Sequence, residues 1–148
     1  LWLYLEGNQL TTLPPEIGQL TNLTGLSLHG KKFTTLPSEI GKLTNLVYLG
    51  LGENQLTTLP AEIGQLADLT WLYLEGNQLT TLPPEIGKLT KLTELQIEKN
   101  PLTDTDLEHL KPLKSLKRLD VRDTKVTIAG VEAFRKALPN CEVKVPRQ

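Results

Sequence analysis

Residues 2–18 read WLYLEGNQLTTLPPEIG, and residues 71–87 read the same seventeen letters. The displacement of 69 positions is three steps of 23, and variants of the phrase stand at the steps between. A fixed short period is the mark of a solenoid, in which each unit buries its apolar face only by stacking on its neighbours. Units open at Leu23, Leu46, Leu69, Leu92 and Leu116, after a partial first unit. In the third, Leu46, Leu49, Leu51, Asn54 and Leu56 spell L-x-x-L-x-L-x-x-N-x-L. We read 1–148 as one domain of about six units, more than the roughly three that stability requires. The chain opens inside a unit and contains no Met, so we expect it to be a fragment of a larger protein.

Each L-x-L alternates apolar and variable residues, the period of a short half-buried strand. Stacked units would pair these strands into a parallel concave sheet, with leucines inward and variable residues in solvent. Asn8, Asn54, Asn77 and Asn100 follow the strands. An amide both donates and accepts, so it can satisfy backbone groups of adjacent turns that water cannot reach. Pro14, Pro37, Pro60 and Pro83 recur at the 23-residue step and would interrupt any long helix. The convex side should therefore be a short helical turn, with Ile17, Ile40, Ile63 and Ile86 returning to the core.

From about residue 102 the pattern changes. Leu107, Leu110 and Leu113 sit at helical spacing after Thr105, which has Glu108 three residues on as in a capping box. Val131, Phe134 and Leu138 repeat the pattern after Thr127. Real convex helices are expected there, and ALPNCEVKV should close the sheet with a last short strand. The second unit departs from the others, with His29-Gly30-Lys31-Lys32-Phe33 in place of variants of Glu-Gly-Asn-Gln-Leu. Lys31 offers no acceptor, so that rung should be broken or bridged by water, and the core must make room for Phe33.

On these residues the chain resembles the leucine-rich repeat family over essentially its whole length. The 23-residue phrase NQLTTLPxEIGxLTNL is similar to intracellular and bacterial repeats, including those that precede the GTPase region of Roco-family proteins. The last two units resemble ribonuclease-inhibitor-like repeats. Cys141 is the sole cysteine, unlike the disulfide caps of lamprey lymphocyte receptors and Toll-like ectodomains. The resemblance implies an α/β solenoid, a right-handed superhelix with its asparagines in a ladder. It also implies a module that binds proteins.

Counted from the first leucine of a unit, slots three, five, seven and eight face solvent on the concave side. All Trp and Tyr residues occupy them: Trp2, Tyr4, Tyr48, Trp71 and Tyr73. Exposed rings of this kind are costly unless a partner covers them, and they dominate binding hot spots. Aromatics also suit strand surfaces without any function. Glu6, Glu53, Glu75, Glu94 and Glu98 stand around them, with His29 and Gln96 in neighbouring slots. Gly25, Ser27, Gly50 and Gly52 leave room between. The expectation is a shallow trough floored by small residues and walled by Trp2/Tyr4 and Trp71/Tyr73, roughly 14 Å apart at about 4.8 Å per strand.

Charge is divided along the chain. Residues 1–110 carry 6 Lys/Arg against 13 Asp/Glu, a balance of −7, and residues 111–148 carry 10 against 4, a balance of +6. An acidic body with acidic aromatic slots suits a protein or peptide with basic and apolar groups. It does not suit nucleic acid, which wants a basic stripe interleaved with aromatics. His29 and His109 lie far apart, and no phosphate loop, dinucleotide fingerprint or H-E-x-x-H is present. We therefore expect no enzyme activity, no cofactor and no metal. No apolar run is long enough to span a bilayer and no signal peptide is visible, so neither a membrane partner nor an export route is expected, and the location read is cytoplasmic. The alternative function is a regulatory segment of a larger signalling enzyme, such as a Roco-type GTPase or a kinase. Leu1, Leu3 and Leu5 would leave an uncapped first strand, through which self-association is expected.

Overall fold

The computed structural model describes residues 1–7 and 9–145. Seven strands of three residues each define the sheet: β1 Trp2–Tyr4, β2 Gly25–Ser27, β3 Tyr48–Gly50, β4 Trp71–Tyr73, β5 Glu94–Gln96, β6 Arg118–Asp120 and β7 Glu142–Lys144. They pair in chain order, and every pairing is parallel. Leu3, Leu26, Leu49, Leu72, Leu95, Leu119 and Val143 lie in one row across the sheet. The 23-residue step therefore becomes a lateral step of one strand with no change of face.

On the convex side the first four units turn through 3-10 segments at Pro15–Gln19, Ser38–Lys42, Ala61–Gln65 and Pro84–Lys88. Each follows a proline, whose ring sets φ between −72° and −65° and pre-orients the carbonyl. The isoleucine N–H closes the turn onto that carbonyl, at 3.1 Å for Ile17 to Pro14 and 3.0 Å for Ile63 to Pro60. All four isoleucines are buried, as their spacing predicts. The turns stack so closely that a Cβ on Gly64 would stand 2.5 Å from the Glu85 carbonyl oxygen. This explains the glycine of the E-I-G triplet.

The last two units carry helices α1 Asp104–Leu110 and α2 Ile128–Ala137. Their inward residues Leu107, Leu110, Val131 and Phe134 are buried. Thr127 caps α2 as its position suggests, its hydroxyl accepting the Gly130 N–H at 3.1 Å. The cap of α1 corrects the sequence reading: it is Thr103 with Asp106, not Thr105 with Glu108. The Asp106 carboxylate accepts the Thr103 N–H at 2.9 Å and, with its other oxygen, the Leu82 N–H at 2.9 Å. A carboxylate that serves two units outcompetes one that could serve only its own helix.

The asparagines form a ladder, and each reaches back to the preceding unit. Asn77 Oδ1 accepts the Leu56 N–H at 3.0 Å, while its Nδ2 donates to the carbonyls of Leu51 and Leu74 at 2.9 Å each. Asn100 repeats this with Leu79, Leu74 and Ile97. Asn54 accepts the N–H groups of both Lys31 and Phe33, at 2.9 and 3.0 Å. The irregular second unit is therefore tied to the third by an intact rung. Lys31 is buried, and Phe33 is accommodated with no exposed surface. Asn8, also expected in the ladder, lies outside the described residues. At residue 124 a threonine takes the place of the asparagine and bonds locally, to the Val121 carbonyl at 2.6 Å.

The core is one continuous column from Leu13 to Val143. It thins at β1, where Leu3 and Leu5 are partly buried and Leu1 is 74% exposed. Among the described residues, no helix is long and apolar enough to cross a membrane.

Candidate functional site

Slots three and five of the first four units carry the rings, and the sheet register decides which of them meet. Trp2 on β1 pairs with Gly25 on β2, which pairs with Tyr48 on β3. Because residue 25 has no side chain, the indole leans into the space a Cβ would occupy and stacks on the Tyr48 ring, with centroids 5.0 Å apart. Tyr4 extends the stack at 5.8 Å from Trp2, and Tyr48 meets Tyr73 edge-on at 5.4 Å. The Tyr48 hydroxyl lies where a Cβ on Gly50 would come within 2.7 Å.

The expected open trough is therefore corrected. Gly25, Ser27, Gly50 and Gly52 are buried, Gly25 and Gly52 under side chains of neighbouring units and Gly50 under Tyr48 of its own strand. What should have been two separated walls is one run of four rings, Tyr4–Trp2–Tyr48–Tyr73. The physical reason is size mismatch: a large ring beside a vacant slot gains contact by folding over it. Trp2 remains 47% exposed, Tyr4 64% and Trp71, beside Tyr48 in register, 38%. The run is a raised apolar ridge in an otherwise polar concavity.

Polar neighbours hold the rings. The Ser27 hydroxyl donates to Glu6. Burial, reinforced by Glu75 and Glu6, raises the Tyr48 pKa. Burial together with the nearby Glu94 carboxylate pushes the Tyr73 pKa up to about 12. Gln96 donates to Glu94 at 3.2 Å, and Arg118 lies 4.0 Å from the same carboxylate. Glu6 and Glu94 are thus partly engaged within the chain. The sequence reading did not assign this holding role to Ser27 or Arg118.

Further along the same face, in slots seven and eight, the remaining carboxylates gather. Glu75 reaches over Gly52 to bring Oε1 within 3.9 Å of His29 Nδ1, two units away. Glu53 leans over Gly76. The eighth slot is left-handed in every unit, and Glu53, Lys99 and Asp123 adopt it at φ of 55°, 58° and 56° without being glycine. Each such residue costs roughly 1–2 kcal/mol. Glu75 Oε2 and Glu98 Oε2 are buried and have no hydrogen-bond partner among the described residues. Burial raises the Glu75 pKa and pushes that of Glu98 up to about 7, with Asp120 and Glu75 adding to the shift at Glu98. Beyond them Arg122 is held bidentate by Asp120, at 3.0 and 2.6 Å.

Among the described residues no group of three His, Cys, Asp or Glu side chains could hold a metal ion. Cys141 is buried, and burial raises its thiol pKa to about 11, which keeps the thiolate away.

A parallel sheet one strand per unit wide, an asparagine ladder and a leucine core define a leucine-rich repeat protein. The chain belongs to that family. The "Leucine-rich repeat region" profile matches residues 38–136, and a "Leucine Rich Repeat" profile matches residues 1–20. It is similar to a solved leucine-rich repeat protein of Leptospira interrogans, 42% identical, covering 98% of this chain and 37% of that one with a TM-score of 0.91. It is also similar to internalin C2 of Listeria monocytogenes, 25% identical, covering 98% of this chain and 59% of that one with a TM-score of 0.82. An internalin inlF of the same species shares the fold at 23% identity, covering 93% of this chain and 39% of that one, with a TM-score of 0.78. The chain thus spans less than two thirds of the length of these proteins. No curated protein sequence matches it. The repeats are of bacterial type, and the family is characteristically a non-enzymatic scaffold for protein interaction.

Proposed function

We propose that the concave face of this protein binds a protein or peptide partner on the aromatic ridge, and that binding is its whole activity. The observation that carries the reading is the unbroken contact of Tyr4, Trp2, Tyr48 and Tyr73 on a face rimmed by carboxylates. Rings already packed against one another lose little entropy when a partner covers them. Trp71 adds a large, partly exposed surface beside them. The acidic rim favours a partner that presents basic groups around an apolar centre.

The test is an affinity measurement with partners captured on the wild-type chain, repeated with Trp71→Ala/Tyr73→Ala. Binding should weaken by at least about 2 kcal/mol while the fold persists. Unchanged affinity in a folded variant would remove the ridge from the site.

A further inference from the structure

The aromatic ridge ends at Tyr73, and beyond it the concave face changes character. Over β5, β6 and β7 lies an open hollow of about 230 Å³, lined by Glu94, Gln96, Arg118, Asp120, Glu142 and Lys144. Charge alternates across these strands. In the third slot Glu94, Arg118 and Glu142 follow one another, and in the fifth Asp120 stands beside Lys144. Asp120 is buried and held bidentate by Arg122, so it belongs to the floor. The other groups are within reach: Arg118, Glu142 and Lys144 are exposed, and Glu94 and Gln96 are half-buried. Among the described residues the side chains of Glu142 and Lys144 make no hydrogen bond or ion pair. Gln96 uses only its amide N–H, on Glu94, and keeps its amide oxygen free. Trp71 flanks the hollow as the register partner of Glu94, and it is 38% exposed. Among the described residues it alone of the Trp and Tyr side chains joins no ring pair.

We propose that this hollow, with Trp71 at its side, binds an uncharged oligosaccharide. One sugar ring sits among Gln96, Arg118, Glu142 and Lys144, and the next lays its C–H face on the Trp71 indole. The site goes beyond the protein-binding reading of the ridge and shares only Trp71 with it. The balance of charge selects the ligand. Counting Arg122, three carboxylates face three cations around the hollow, so neither an anion nor a cation meets a field of one sign. A zwitterion would find partners, but solvent-open ion pairs are worth little. Hydroxyl groups both donate and accept, so adjacent hydroxyls can use guanidinium, ammonium, amide oxygen and carboxylate together. Such bonds to charged groups are the stronger kind. The size fits as well: the hollow is smaller than the roughly 300–1,000 Å³ of sites for drug-sized ligands, which leaves room for one ring. Two strand spacings separate the backbones of Trp71 and Arg118, roughly 10 Å at about 4.8 Å each, the span of two linked rings. An unpaired indole supplies the apolar area that a polar hollow lacks.

The experiment is an array of defined neutral, sialylated and sulfated oligosaccharides probed with the full chain. Calorimetry of the tightest ligand follows, against wild type, Trp71→Ala and Arg118→Ala/Glu142→Ala, each checked for a native melting transition. Neutral glycans should bind, and each variant should weaken binding at least about tenfold while its melting transition is kept. An array without binders overturns the site. Binding confined to sialylated or sulfated glycans overturns it too, because the hollow would then be a site for anions. Affinity that survives either variant in the folded protein places the sugar elsewhere and overturns the assignment. Should a variant fail to melt as native, Gln96→Ala/Lys144→Ala takes its place with the same expectation. Trp2 and Tyr48 are untouched throughout, so the protein-binding reading of the ridge stands or falls separately.

Discussion

The indole of Trp2 occupies the space above Gly25, its register partner on the neighbouring strand, where any β-carbon would stand. A vacancy in the second unit is thereby filled from the first, and the ring reaches Tyr48 in the third. The contact ties three units together on the solvent side of the sheet, independently of the leucine column beneath.

Gly25→Ala should therefore displace Trp2 and break its stack on Tyr48. The core leucines do not touch this contact, so stability should fall by only about 1 kcal/mol. The protein contains two tryptophans, so the readout is Trp2 emission in a Trp71→Phe background. A red shift relative to the Gly25 parent is expected; unchanged emission would mean the ring sits elsewhere.

Asn77→Ala should be among the most damaging single changes outside the leucines. It strands the buried Leu56 N–H and removes one of the two amide donors from each of the Leu51 and Leu74 carbonyls, which keep Asn54 and Asn100. The loss should reach about 2 kcal/mol in denaturant unfolding. Thr80→Ala, at an exposed position nearby, should stay within about 0.5 kcal/mol.

Leu49 and Leu72 have no exposed surface, although residues on both sides of Leu72 are solvent-accessible. Truncation of either to alanine should cost about 2–5 kcal/mol. Midpoints that barely move would contradict the inward register of the sheet.

Glu98 supplies a pH test with a definite sign. Its carboxyl is raised from the ordinary 4.5 to about 7, first by burial and then by Asp120 and Glu75. Between those values the folded state binds more protons than the unfolded state, so this group's contribution falls as pH rises through the window. Glu98→Gln removes the loss. The variant should melt above wild type at pH 8 and coincide with it near pH 4, by calorimetry at both pH values. A constant offset across the range would assign the effect to something other than ionisation.

How much of this was legible in the sequence follows from how local each feature is. The seven strands, the proline-led turns and the two late helices depend on residues within one unit, and the 23-residue period exposes each unit to comparison with the next. The cap of α1 was misread because Asp106 was judged only against its own helix, whereas its second oxygen serves Leu82 in the preceding unit. The row of aromatic slots was visible as a pattern of positions. That the rings join into a ridge and close the glycine floor was not, because it depends on the reach of side chains across two strands.

The amino-acid sequence by itself determined the repeat, the direction in which each leucine points and the confinement of every Trp and Tyr to one face, since these follow from periodicity and polarity alone. Tertiary structure decided which side chains fill which vacancies. Trp2 covers Gly25, Glu75 crosses Gly52 to His29, and Glu6 is drawn to the Ser27 hydroxyl and Glu94 to Gln96 while Glu75 and Glu98 each keep one oxygen unused. The physical reason is that such choices are settled by close packing and hydrogen-bond competition between residues one or two units apart in the chain, which become neighbours only once the units stack.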